Sequence, residues 1–105
     1  MLDVIILNNC KKEITDFPDE IKADFLDSVA RLKYGENLSM PLVRPMSNIY
    51  KGLFELRLKS KEEAFRIFYL IKKGDAIYVV HAFQKKTEQT PHKIIELIRK
   101  RIGTL

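Results

Sequence analysis

The sequence predicts an α+β fold, a small twisted antiparallel sheet with helices against it, and three observations lead there. The chain opens on a β-branched apolar run, "LDVIIL", at residues 2–7. Three segments of alternating apolar and polar residues, 52–59, 64–72 and 76–84, follow one another with no helical pattern between them. Two stretches with apolar residues every three or four positions, 17–34 and 91–102, are bracketed by helix-ending residues. Strand, helix, three strands, helix is an order that predicts one sheet covered on one face.

The strand over 2–7 ends at "NNCKK", which reads as a polar turn, and its continuous apolar character predicts an interior rather than an edge position. In "TDFPDEIKADFLDSVARLKYG", Thr15 or Asp16 is the expected N-cap, Pro18 lies in the first turn and Gly35 follows the helix as its C′ residue. Ile21, Phe25, Val29 and Leu32 share one stripe, the face to be buried. Residues 36–50, with two prolines and no clean period, form a connection ordered against the core. The three strands that follow are joined by "SKEE" and "KKGD", the second a hairpin turn with Gly74 free to take positive φ, so an antiparallel meander is expected. In "TPHKIIELIRKRIG", Thr90 is the expected N-cap and Pro91 the first helical residue; Ile94, Ile95, Ile98 and Ile102 lie on one face before Gly103.

A chain of 105 residues predicts a single domain, 1–105. With 46% hydrophobic and 31% charged residues it has the profile of a globular protein. No run approaches the ~18 apolar residues of a membrane span, and the lone Cys10 gives no internal disulfide, so a cytoplasmic protein without membrane association is expected. The net charge of +5 is unevenly spread. Residues 1–40 hold five Lys/Arg against eight Asp/Glu, and residues 41–105 hold fourteen against six. Such asymmetry points to a polyanion or an acidic protein as partner. Two histidines and one cysteine at unrelated spacings form no metal-ligand pattern, and there is neither a glycine-rich phosphate loop nor a motif around a Ser or Cys nucleophile. No cofactor is expected.

The chemistry concentrates in "KGLFELRLKSKEEAFRIFYLI", residues 51–71, where two arginines interrupt apolar strands. Alternation puts Phe54, Leu56 and Leu58 on one side of the first strand and Glu55, Arg57 and Lys59 on the other. In the next strand Phe65, Ile67 and Tyr69 face the core, leaving Arg66 and Phe68 opposite. An arginine there must pair, reach water or meet an anion, because an unpaired buried charge costs several kcal/mol. Glu55 is an internal partner for either one. Lys85 and Lys86 follow Phe83 as the last strand ends, and His92 falls in the first turn of the last helix. Guanidinium groups, lysines, an imidazole and aromatic surface are what a single-stranded RNA site requires. His81, alternating with Val79 and Phe83, reads as a packed, hydrogen-bonded structural histidine.

"GLFELRL", then "FRIFYLI", then "HAFQKKTEQTPHKIIELIRKR" together resemble the phage-derived, HigB-like branch of the RelE/ParE toxin superfamily. The resemblance is close over residues 36–102 and implies a RelE-like fold. It further implies the toxin of a type II toxin-antitoxin system, a metal-independent mRNA endonuclease (mRNA interferase) working in the ribosomal A site. Its partners would be mRNA and an adjacently encoded helix-turn-helix antitoxin. In such enzymes the 2′-OH attacks the adjacent phosphate, so added negative charge must be stabilised and protons moved. Carried across, Arg57 resembles the cation after the motif glycine, Arg66 the arginine on the scissile phosphate, Lys86 the basic residue ending the last strand, and His92 a proton-handling group. Glu55 stands where RelE-type members have a lysine and is either the general base or a brace for Arg57. Lys51, Lys59, Lys85, Phe68 and Phe83 complete the candidate RNA-contacting set. Two alternatives stay open: a ParE-like inhibitor that binds DNA gyrase without catalysis, and an RNA-binding relative that has lost activity.

Overall fold

The computed structural model describes residues 2–72, 76–86 and 89–105. Its elements are β1 (Asp3–Ile6), α1 (Asn8–Thr15), α2 (Asp19–Lys33), β2 (Val43–Pro45), β3 (Leu53–Ser60), β4 (Glu63–Lys72), β5 (Ala76–Lys85) and α3 (His92–Ile102). The strands form one mixed sheet in the order β1-β5-β4-β3-β2. The α+β class is as expected, and the arrangement is compatible with a RelE-like fold. The meander is also as expected, since β3, β4 and β5 pair antiparallel in sequence order. Gly74 lies outside the described residues.

The N-terminal third departs most from expectation. "NNCKK" is not a turn but the start of α1, because Cys10 and Ile14 sit four residues apart and both bury against the sheet. β1 is not interior. It lies at the sheet edge, parallel to β5, with alternating exposure along its four residues. Its apolar residues serve α1 and α2, which fold back over the sheet, rather than a second flanking strand. The N-caps also differ: Pro18 and Pro91, not Thr15, Asp16 or Thr90, occupy those positions, and neither helix has a side-chain cap bond. Extended backbone at each proline, φ near −57°, sets the entry angle instead. The far end of α2 closes as expected. Gly35 at φ +85° lets its N–H bond the Leu32 carbonyl while the Glu36 N–H reaches the Arg31 carbonyl.

The sheet has a core on each face, where one had been expected. On one side α1 and α2 contribute Cys10, Ile14, Ile21, Phe25 and Leu32 against Leu56, Leu58, Phe65, Ile67 and Tyr69. On the other, Ile98 and Ile102 of α3, with Met46 and Ile49, cover Leu53, Phe68, Leu70 and Val80. An 11-residue helix spans only about 16 Å at ~1.5 Å per residue. It covers one end of that face and leaves the other end to Glu55, Arg57, Arg66, Phe83 and Lys85.

A register shift decides which side chains reach that open end. Phe68 pairs with His81 but Tyr69 pairs with Val79, so Val80 is an extra residue in β5. Ahead of it Ile77 and Val79 point to the first core; beyond it Ala82 does, and His81, Phe83 and Lys85 share the face of Arg66. Beyond the reach of β1, β5 is closed by side chains. The Ala82 N–H donates to Glu13 Oε1 (3.2 Å), and Arg101 Nη1 donates to the Val80 carbonyl (2.8 Å) and to Glu13 Oε1 (2.9 Å). His81 Nδ1 lies 3.0 Å from the same carboxylate, which makes it the packed, hydrogen-bonded histidine expected. Burial opposes charge on Glu13, but the bonds from His81 and Arg101 outweigh it and hold the carboxyl down to about 2. Cys10 is wholly buried beside it, its thiol pushed up to about 12 by burial and by Glu13.

Candidate functional site

The site is built on four neighbouring strands, β2 to β5, at the uncovered end of the sheet. Arg57 of β3 and Arg66 of β4 are direct cross-strand partners. Like charges so placed repel. Glu55, two residues before Arg57 on the same face, relieves this with both carboxylate oxygens: Oε1 is 3.7 Å from Arg57 Nε and Oε2 is 3.8 Å from Arg66 Nε. The carboxylate is 3% exposed, far more buried than a wet cross-strand pair. Both Nε atoms are buried without a hydrogen bond, so they are held by charge alone. The Nη groups are turned elsewhere: Arg66 Nη1 donates to the Phe65 carbonyl (3.1 Å) and Arg57 Nη1 lies 3.9 Å from Met40 Sδ. Two guanidiniums are thus anchored by their inner edges around one buried carboxylate.

Two further cations complete the cluster. Arg44 of β2 stands opposite Glu55 in the register, and Lys85 falls on the Arg66 face because of the bulge. The Lys85 ammonium is pushed below its ordinary range by burial first, then by Arg66, Arg57 and Arg44, with Glu55 acting the other way. Arg66 is lowered by burial and by Arg57, again opposed by Glu55. The aggregate is four cations around one carboxylate, which favours a ligand bearing at least one negative charge.

The candidate residues fall into two groups. Glu55, Arg57, Arg66 and Lys85 come together, and Phe83 pairs in register with Arg66 on the same face. Lys59, two residues beyond Arg57, shares with Arg57 and Arg66 the wall of a groove of about 630 Å³. Lys86 lies beyond the end of β5 and is exposed. His92 is 77% exposed on α3 and bonded to Glu96 at 3.0 Å. Lys51 lies six residues before Arg57, about 20 Å away at ~3.3 Å per strand residue, beside the other end of the sheet. Phe68 is fully buried beneath α3, stacked on Phe83 at 6.1 Å, and offers no ring face to a base. Its alternation is as expected; what changes its exposure is the second core. Arg44 was not foreseen, because "VRP" is too short to show a period and β2 exists only as a partner of β3. Among the described residues no group of three His, Cys, Asp or Glu is placed to hold a metal ion. No helix among them is long and apolar enough to cross a membrane.

A comparison with curated proteins returned no match. A family model does match: phage derived protein Gp49-like (DUF891), over residues 12–103, which takes in every residue of the cluster. With nearly the whole length covered, the chain belongs to the phage-derived Gp49-like family, a family associated with RelE- and HigB-like toxins.

Proposed function

We propose that the protein is the toxin of a type II toxin-antitoxin system, an endoribonuclease that cuts mRNA in the ribosomal A site and is neutralised by a helix-turn-helix antitoxin encoded beside it. The observation that carries this reading is the convergence of Arg44, Arg57, Arg66 and Lys85 around a carboxylate that is 3% exposed, on the uncovered end of the sheet. A surface that only binds has no need to bury Glu55 in order to hold two arginines side by side.

In the proposed reaction the 2′-oxygen forms a bond to phosphorus and the bond to the 5′-oxygen breaks, leaving a cyclic phosphate and a free 5′-hydroxyl. Arg57 and Arg66 meet the non-bridging oxygens, where negative charge grows. Glu55 is the brace rather than the base, since it is buried and both of its oxygens face guanidiniums. Lys85, whose ammonium lies below its ordinary range, is the group that accepts the proton of the 2′-hydroxyl, through its uncharged fraction. A protonated donor returns a proton to the 5′-oxygen.

The test is controlled induction with primer extension on a translated reporter, comparing wild type with Arg66→Ala. New 5′ ends inside codons are expected for the wild type, and about a 100- to 1,000-fold loss for Arg66→Ala, the usual cost of removing one group that stabilises transition-state charge. Growth arrest with intact mRNA would replace this reading by a gyrase-type binding inhibitor. Absence of arrest would leave an inactive RNA-binding relative. Co-expression of the neighbouring open reading frame should restore growth.

A further inference from the structure

Next to the arginines lies a groove left open by the shortness of β2. That strand pairs only with residues 54–56, so on its side β3 has no strand partner over residues 58–60, and the chain at Pro41 and Leu42, whose Leu42 carbonyl accepts from the Arg57 N–H (2.8 Å), becomes an outer wall. The groove encloses about 630 Å³, within the range of small-ligand sites. Its inner end carries Arg57 and Arg66, its sides are Pro41, Leu42 and Ala64 with Lys59 opposite Ala64 in the register, and its outer end carries Glu62. Glu62 belongs to the two-residue turn between β3 and β4. It stands beyond the Ser60 and Glu63 pair, which is three residues from the arginine pair, or roughly 10 Å at ~3.3 Å per residue. Among the described residues Glu62 has no hydrogen bond or ion pair, although three cations share its groove.

Cations, an apolar slot and a free carboxylate in line match phosphate, nucleobase and base edge. We propose that this groove seats the nucleobase attached to the phosphate held by Arg57 and Arg66, and that Glu62 selects guanine there. The inference rests on the RNA reading above. A carboxylate only accepts hydrogen bonds. Guanine alone presents two adjacent donors, N1–H and the N2 amino group, to both of its oxygens. Adenine and cytosine place an acceptor nitrogen beside their amino group, and uracil flanks its single N–H with two carbonyls, so each of them sets a lone pair against the carboxylate.

The test is calorimetric titration of the purified protein at low salt with guanosine, adenosine, cytidine and uridine 3′-monophosphates. The guanosine compound is expected to bind at least about tenfold more tightly than the uridine compound. Glu62→Gln and Glu62→Ala should bring the four within about threefold of one another, the guanosine compound losing affinity relative to the other three; Arg66→Ala should weaken all four together. Equal affinities in the wild type, a guanine preference that survives both Glu62 variants, or no binding at millimolar nucleotide would each overturn the assignment. The two readings fail separately. A guanine preference in a protein that cuts no mRNA removes the nuclease and keeps the groove; cutting without any base preference does the reverse.

Discussion

Glu55 shows how a single residue's role changes with its burial. From sequence it was equally a base or a brace; at 3% exposure between two guanidiniums it holds the site's geometry. The pH dependence of single-turnover cleavage separates the roles. With Lys85 as base, the rate should climb as pH rises through that lysine's depressed pKa and level off above it. Removing the Glu55 charge takes away the one influence that raises the pKa of Lys85, so Glu55→Gln should move the climb to lower pH. A climb unmoved in Glu55→Gln, or abolished by it and retained in Lys85→Ala, would return the role of base to Glu55. Gly52 is constrained by its backbone. At φ +87°, an added Cβ would lie 3.0 Å from the Ile71 carbonyl oxygen, so Gly52→Ala should destabilise the fold by about 1–3 kcal/mol, read from urea denaturation.

At the scale of elements, the bulge in β5 and the junction of α1, β5 and α3 matter most. The extra residue Val80 sets Lys85 on the side of Arg66, while Lys86 lies past the strand end. Lys85→Ala should therefore cost about 100-fold in cleavage rate and Lys86→Ala less than about threefold, a contrast that primer extension can read. An alternation rule cannot find such a bulge, because period two assumes an unbroken ladder. The junction rests on Glu13, Arg101 and His81. Because Glu13 is depressed to about 2, the stability it brings is complete above the ~4.3 of an unfolded glutamate and fades as pH falls towards 2. Glu13→Gln should lower stability at pH 7 by about 2 kcal/mol and flatten its decline between about pH 5 and 2. Urea denaturation at several pH values would show whether the variant and wild-type curves converge in acid.

For the whole molecule, two cores of unequal extent explain why cations sit in a sheet at all. Helices α1 and α2 cover one face, whereas α3 covers part of the other, and the remainder must be polar. Single-stranded RNA bound there by Arg44, Arg57, Arg66 and Lys85 should lose affinity with a log–log salt slope near −3, at ~0.7 per phosphate contact, and near −2 in Arg44→Ala. A slope unchanged by that substitution would exclude Arg44 from the contact. The sequence alone determined the α+β class, the meander, the apolar stripes of α2 and α3, and the placing of Glu55 on one sheet face with the two arginines. Each of these is written in local periodicity or in the alternation of a single strand. Only the tertiary structure decided that "NNCKK" is helical, that β1 is a parallel edge, that Phe68 is covered, that Arg44 joins the cluster, and that Lys85 rather than Lys86 faces the arginines. Those outcomes depend on which distant segments meet, and neither a helix shorter than three turns nor a three-residue strand has stability or pattern of its own before its partner is in place.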